Sequence, residues 1–389
     1  GDPDSLEKEA RENPSEIIRL LLRDLGPKTA AEIKDELCDL VIPAEDWNRW
    51  WQTARAKVKK DTKIESPKAL KDPFLLRDKE IPHEVAFHKA LEMNPDVNAM
   101  IQTVYTFLRD FPETLKNQEF KSSLEARLKA VLGEEHVSDG QKIQLLFFLE
   151  DLHIGGASEQ IAQWLEPLSG LSELVQTVQV IAFQKRMLQK IQKIRKDWVD
   201  IYIDLLFAVE QNMIRDFILS ELSAPETADA LKKKLSSLLL HPFSYPEVFV
   251  WYFQKIIDTK ASLPFSDQEG KNDFFEGLLI LLDYLEQKPH YRDLGKKIIA
   301  LITADRYKIV RDIIQHSSLE EVKEYLLLAT KCGTLSDHDI KILHSLAEVV
   351  YPALARPRET RRSAVRRAIS ADGSSTASPS TTEPTRVTA

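Results

Sequence analysis

Residues 27–78 read PKTAAEIKDELCDLVIPAEDWNRWWQTARAKVKKDTKIESPKALKDPFLLRD, and this stretch decides the fold of the front of the chain. It holds three of the six tryptophans, Trp47, Trp50 and Trp51, within five residues, together with the densest early run of positive charge. Trp47, Trp50, Trp51, Ala54 and Val58 recur at i, i+3, i+4, i+7 and i+11, the apolar stripe of an amphipathic helix. At about 100° per residue, Arg49, Gln52, Ala56, Lys59 and Lys60 fall roughly opposite that stripe. The spacing predicts a helix with a cationic outer face, its inner tryptophans Trp47, Trp50 and Trp51 forming the core of a small module. Upstream, Thr29-Ala-Ala-Glu32 is a capping box that opens a shorter helix with Ile33, Leu37 and Leu40 on its apolar side. Residues 17–25 form another helix, stopped by Gly26-Pro27. Downstream, Lys63-Ile64 and Phe74-Leu-Leu-Arg77 are strand-like and separated by proline-bearing loops.

Three helices, the third cationic, followed by a small ribbon, make a winged-helix-like pattern. In such a fold the third helix can lie in a DNA major groove while the ribbon touches backbone. Winged helices also dock on proteins, and a small module needs large aromatics in its core whatever it binds. Arg49, Arg55, Lys59 and Lys60 are the candidate contact residues, and the pattern leaves both nucleic acid and a protein partner open.

The order LLRDLGPKTAAEIKDEL, then WNRWWQTARAKVKKD, then PFLLRD resembles the front of long GreA-type bacterial transcription elongation factors, in which a large helical extension precedes the Gre part. The likeness is clearest over residues 17–78 and rests on helical character alone over 81–351. In that family a coiled coil with an acidic tip enters the secondary channel of RNA polymerase and helps position magnesium for cleavage of a backtracked transcript. A small β-rich domain docks on the polymerase. Neither part is recognisable in this sequence, so the family's catalytic residues have no positions to be carried onto. The resemblance implies RNA polymerase as partner, with nearby DNA as a further contact, and an accessory region of the factor without catalysis. The alternative is a helical scaffold with a protein-docking module and no link to transcription.

At 389 residues the chain is long enough for two or three domains, and 43% apolar residues can build real cores. Twelve glycines are few for that length, and with abundant Leu, Lys and Glu they favour an all-α architecture. The net charge of −8 excludes wholesale coating of nucleic acid and confines any such contact to a local patch. Cys38 and Cys332, the only cysteines, are far apart and outside any CxxC, which argues against a disulfide framework or a zinc site and fits a reducing cytoplasm. No apolar run approaches the ~18–20 residues that span a bilayer, so no membrane contact is expected. The polar start, Gly1-Asp-Pro-Asp-Ser-Leu-Glu-Lys, does not read as a signal peptide and lacks an initiating methionine. A fragment or a processed chain is the expectation.

Residues 1–14 read as a charged lead-in and 15–81 as the winged-helix-like module, closed by Pro67, Pro73 and Pro82. From 82 to 351 amphipathic segments alternate with short Pro- and Gly-marked breaks, as in an irregular α-solenoid or helical array. Trp198, Ile201, Tyr202, Leu205, Val209 and Met213 mark one helical stripe, and Phe274, Leu278, Leu281, Leu282 and Leu285 another. No repeat consensus aligns to itself. Lys185, Arg186, Lys190, Lys193, Arg195 and Lys196 form a second cationic cluster, read mainly as the solvated face of a helix. Residues 352–389 are arginine-rich and then Ser/Thr/Pro-rich, a composition that predicts disorder. The tail reads either as an arginine-rich arm for nucleic acid or, as the switch from lysine to arginine favours, as a natural continuation lost to a truncation or frameshift.

No Walker loop, GxGxxG, GxSxG or HExxH is present. The nine histidines are scattered; His83 and His88 share no helical face. The sequence therefore predicts no enzyme, catalytic residue, metal, cofactor or small-molecule substrate.

Overall fold

The computed structural model describes residues 3–93, 96–258 and 262–355. Its front end is built by the signals that the sequence carries. Helix α1 spans Pro3–Glu12 and α2 spans Pro14–Leu25, ending at Gly26, whose φ of 78° suits a residue without Cβ. Helix α3, Ala30–Leu37, opens on the capping box: the Glu32 amide donates to Thr29 Oγ1 at 3.3 Å and the Thr29 amide to Glu32 Oε2 at 2.8 Å. Helix α4 is Ala44–Lys59. Strands β1, Ile64–Glu65, and β2, Leu75–Leu76, pair antiparallel with Ile64 opposite Leu76. Lys28, between α2 and α3, bridges to Phe74 with two backbone hydrogen bonds of 2.8 and 3.3 Å.

The core of this module joins Ile17, Ile18, Leu22, Ile33, Leu37, Ile42, Trp47, Trp50, Ala54, Val58, Ile64 and Phe74. Trp51 packs on the rim of that core and is half-buried. Leu40 departs from the expected apolar side of α3 and is 71% exposed. The helix stops at Leu37, Asp39 takes a left-handed φ of 62°, and Ile42 turns inward in place of Leu40. Of the residues read as a lead-in, 3–12 are helical, and Ala10 of α1 lies in the same core.

The rest is helical, and two compact units divide the chain between Ile201 and Tyr202. The first unit continues with α5 (His83–Met93), α6 (Val97–Asp110), α7 (Gln118–Leu132), α8 (Asp139–Asp151), α9 (Ala157–Leu165), α10 (Leu171–Thr177) and α11 (Ile181–Ile194). Helix α8 packs against α6, α7, α9 and α10, and its run from Ile143 to Leu149 is buried on every side. A helix apolar all round belongs inside a unit. Helix α12, Trp198–Ala208, crosses the division.

In the second unit follow α13 (Asn212–Leu222), α14 (Ala228–Leu240), α15 (Pro246–Asp258), α16 (Gln268–Glu286), α17 (Arg292–Gln315), α18 (Leu319–Lys331) and α19 (Asp337–Val350). Here α16 is the central helix, packed by α14, α15, α17 and α18, with Phe274, Leu278, Leu281, Leu282 and Leu285 all buried. The stripe that starts at Trp198 breaks: α12 ends at Ala208, and Met213 sits on α13 with 57% exposure. Inside α17, Asp305, Arg306 and Tyr307 have left-handed φ of 49°, 57° and 61°, which splits it into two helices. Capping boxes at Ser138, Ser318 and Ser336 start α8, α18 and α19. The chain is all-α apart from the two-stranded ribbon among the described residues. The tail expected to be disordered lies, from residue 356 on, outside the described residues.

Candidate nucleic-acid interface

Helix α4 presents two chemically different faces. Inward, Trp47 and Trp50 are buried, and the Trp47 and Trp51 rings stack with centroids 5.7 Å apart at 11°. Trp51 meets Phe74 of the ribbon edge-on at 6.0 Å. This aromatic layer fixes the rotation of α4 against the ribbon. Outward, Arg49, Gln52, Thr53, Arg55 and Ala56 are exposed. Between α4 and the ribbon runs an open groove of about 490 Å³, lined by Gln52, Arg55, Ala56 and Lys59 on one side and Ser66, Pro67 and Phe74 on the other. The loop joining the strands adds exposed Lys68 and Lys71 beside Leu70, which is 79% exposed.

The four predicted contact residues divide into two pairs. Arg49 and Arg55 make no ion pair among the described residues. Both guanidinium groups are open to a ligand. Lys59 lines the groove, yet its ammonium pairs with Asp110 at the end of α6. Lys60 places its ammonium 6.0 Å from the centre of the Phe111 ring. The Lys60 carbonyl accepts a hydrogen bond from His83 Nε2 at 2.7 Å, and the His83 ring stacks on Phe111 at 4.2 Å. Burial pushes the Asp110 carboxyl up, but the Lys59 ammonium and the hydrogen bond from Arg109 outweigh it and hold the group below the usual carboxylate range.

Sequence reasoning missed Asp110, Phe111, Lys68 and Lys71, and it set His83 aside as a scattered histidine. The contacts with Asp110 and Phe111 join positions far apart in the chain, and helical periodicity carries no signal for them. The lysines of the loop were legible, since charge in a loop between two strand-like segments has nowhere to go but outward.

The second cationic cluster is committed within the first unit rather than merely solvated. Arg186 pairs with Asp151 at 2.7 Å and with Glu150, while Lys190 reaches Glu150 and Ser158 at 2.5 and 2.9 Å. Arg195 donates to the carbonyls of Leu165, Glu166 and Leu168 and pairs with Asp197. These bonds tie α11 to α8 and to the end of α9. Lys193 and Lys196 remain exposed.

Among the described residues no group of three or more His, Cys, Asp or Glu side chains could hold a metal ion. No helix among them is long and apolar enough to cross a membrane. Cys38 and Cys332 are both free thiols.

Residues 1–81 match the GRAD helix-turn-helix domain, and residues 86–340 match the GreA-associated C-terminal domain. The chain belongs to the GreA-associated domain family. It is 39% identical over 365 residues to the transcription elongation factor GreA of Chlamydia pneumoniae, and 34% identical over 361 residues to that of Chlamydia trachomatis serovar D. In each case 92% of this chain is covered and 50% of the relative, so the chain spans about half the length of the curated relatives it matches. No solved structure matches it. The GreA-associated regions thus take in both the module that carries α4 and most of the helices that follow.

Proposed function

We propose that the chain is a non-catalytic accessory region of a Gre-type transcription elongation factor that binds RNA polymerase, with α4 of its first module lying against nearby duplex DNA. The observation that carries this reading is the open cationic face of α4 beside a basic loop, in a chain related along 92% of its length to elongation factors. Arg49 and Arg55 offer planar guanidinium groups that bind phosphate bidentately and stay charged at any physiological pH. Lys68 and Lys71 lie on the loop that would follow the backbone.

The module is read as a winged helix. The order α2, Lys28, α3, α4, β1, β2 supports this, with Lys28 pairing to Phe74 so that the first helix pair is tied to the ribbon. The helices organised around α8 and those organised around α16 are each read as contributing contacts with polymerase. The setting is the bacterial cytoplasm. No residue is assigned to catalysis, and neither metal nor cofactor is required.

A second reading, protein docking by the first module, draws on the exposed Leu70, Leu75 and Leu76 of the ribbon. Exposed apolar side chains favour a protein surface over a phosphate backbone. Binding of the full chain to purified bacterial RNA polymerase, and separately to a fluorescein-labelled DNA duplex, separates the two. Polymerase binding together with salt-sensitive duplex binding is the expected result. Polymerase binding abolished by Leu70→Asp, without any duplex binding, would give the module to a protein partner. No polymerase binding at all would sink the accessory role. The chain alone should add nothing to cleavage of a backtracked transcript above the polymerase's own rate.

A further inference from the structure

The end of α4 is held in a way that the contact residues upstream are not. Lys59 and Lys60 face α6 and the residues just after it, while Arg49 and Arg55, on the same helix, face outward. We infer that the junction between α4 and α6 is an autoinhibitory latch, in which Asp110 occupies the Lys59 ammonium that otherwise points along the groove toward an anionic backbone. The inference rests on the proposed DNA contact of α4.

The geometry is that of a built acceptor. The Asp110 side chain is 16% exposed, and its second oxygen accepts from Arg109 Nε at 3.1 Å, so the carboxylate is aimed and not free to turn. Phe111, next in sequence, fills the space under Lys60 and stacks on His83. The His83 hydrogen bond to the Lys60 carbonyl then closes the last turn of α4 against α5 and α6. Lys59 also lines the groove with Gln52 and Arg55. One ammonium therefore serves two acceptors, a carboxylate inside the unit and any anion entering the groove.

Magnitude decides what kind of device this is. The Lys59 side chain is 47% exposed against 16% for Asp110, and an ion pair whose ammonium stays half in water is weak. A polyanion that engages Arg49 and Arg55 first can displace Asp110, because it needs only a small difference in affinity between the two arrangements. The latch is poised and not locked. Arg49 and Arg55 provide a weak first contact, and Lys59 is added when Asp110 lets go.

The test is a double-mutant cycle on the full chain, read by fluorescence anisotropy with a short fluorescein-labelled DNA duplex across a salt series. Asp110→Asn should tighten binding about two- to fivefold, the reach of one half-exposed ion pair. It should also steepen the slope of log K against log salt by about 0.9, one more phosphate contact. In a Lys59→Ala background the same Asp110→Asn change should do nothing. Amide exchange provides a second measurement that needs no ligand: residues 59–62 should exchange faster in Asp110→Asn while α2 and α3 stay unchanged. A gain that persists without Lys59 is a general charge effect and overturns the latch, leaving the DNA reading in place. Unchanged exchange at residues 59–62 also overturns it. Failure of all four proteins to bind the duplex overturns the DNA reading, and the latch with it.

Discussion

The Trp50 indole N–H donates to the carbonyl of Ala10 at 2.9 Å, across the core of the first module. In a continuous helix that carbonyl would accept from the amide four residues on. That residue is Pro14, which has no N–H. Trp50 therefore supplies the donor that the break between α1 and α2 withholds, and in doing so it fastens α1 to the module. A buried carbonyl without a donor costs free energy comparable to a lost hydrogen bond.

Trp50→Phe keeps a ring in the core but leaves the Ala10 carbonyl unpaired, and should cost about 1–3 kcal/mol. Trp50→Ala should cost about 3–5 kcal/mol, since a cavity is added. Trp51→Ala should cost less than Trp50→Ala, because Trp51 is half-buried at the rim. Urea denaturation followed by tryptophan fluorescence measures all three. Equal losses at Trp50 and Trp51 would contradict the difference in burial.

The same contact shows where the sequence was legible. The spacing of Trp47, Trp50, Ala54 and Val58 located a helix and its buried face, and Thr29 with Glu32 located the start of α3. These are local signals, set by the helical period and by capping chemistry. Nothing local ties Trp50 to Ala10, so residues 1–14 read as a lead-in although α1 contributes to the core. Leu40 failed for a related reason: its register was extended past a helix that ends at Leu37, where Asp39 adopts a left-handed turn. The outward-facing cations of α4 were legible from the period alone. The engagement of Lys59 by Asp110 was not, because it is a tertiary contact between two separate helices.

A pH dependence is expected in the second unit. Burial pushes the Glu276 carboxyl above its ordinary range, and Glu324, Asp273 and Glu321 add to the shift. A carboxyl with a raised folded pKa binds its proton more tightly in the folded state. Stability therefore falls as pH rises from the ordinary carboxylate value through the raised one, and the full penalty is present at neutral pH. Glu276→Gln should raise the stability of this unit at neutral pH by less than about 1 kcal/mol, the limit that solvent screening sets. The gain should vanish at pH below the ordinary carboxylate range. Urea midpoints at the two pH values check this, and a variant less stable at neutral pH would refute it.

At Gly277, α16 comes close to Phe249 of α15. A methyl group built there meets Phe249 Cζ at 2.7 Å, too near for van der Waals contact. Phe249 is fully buried and packs against Phe274 at 5.1 Å, so it has little room to swing away. Gly277→Ala gains up to about 1 kcal/mol in helix propensity, but overpacking a closed core costs about 1–3 kcal/mol. The clash should win. A lower urea midpoint with an unchanged slope is the expected outcome, and a midpoint that rises would mean that the two helices part at no cost.

The last expectation concerns α4 and depends on its contact with DNA. Arg49 and Arg55 are exposed and without ion pairs among the described residues, so removing either should leave the fold as it is. Each phosphate contact contributes about −0.9 to the slope of log K against log salt, through release of condensed counterions. Arg49→Ala and Arg55→Ala should each weaken duplex binding and flatten that slope by about 0.9. The double variant should flatten it by about 1.8 if both side chains meet phosphates. Arg55→Lys should recover the slope but not all of the affinity, since an ammonium keeps the charge and loses the bidentate geometry. Thermal melts of each variant check that the module remains folded. Binding that falls on substitution while the salt slope stays constant would assign these arginines to a protein surface instead of a phosphate backbone.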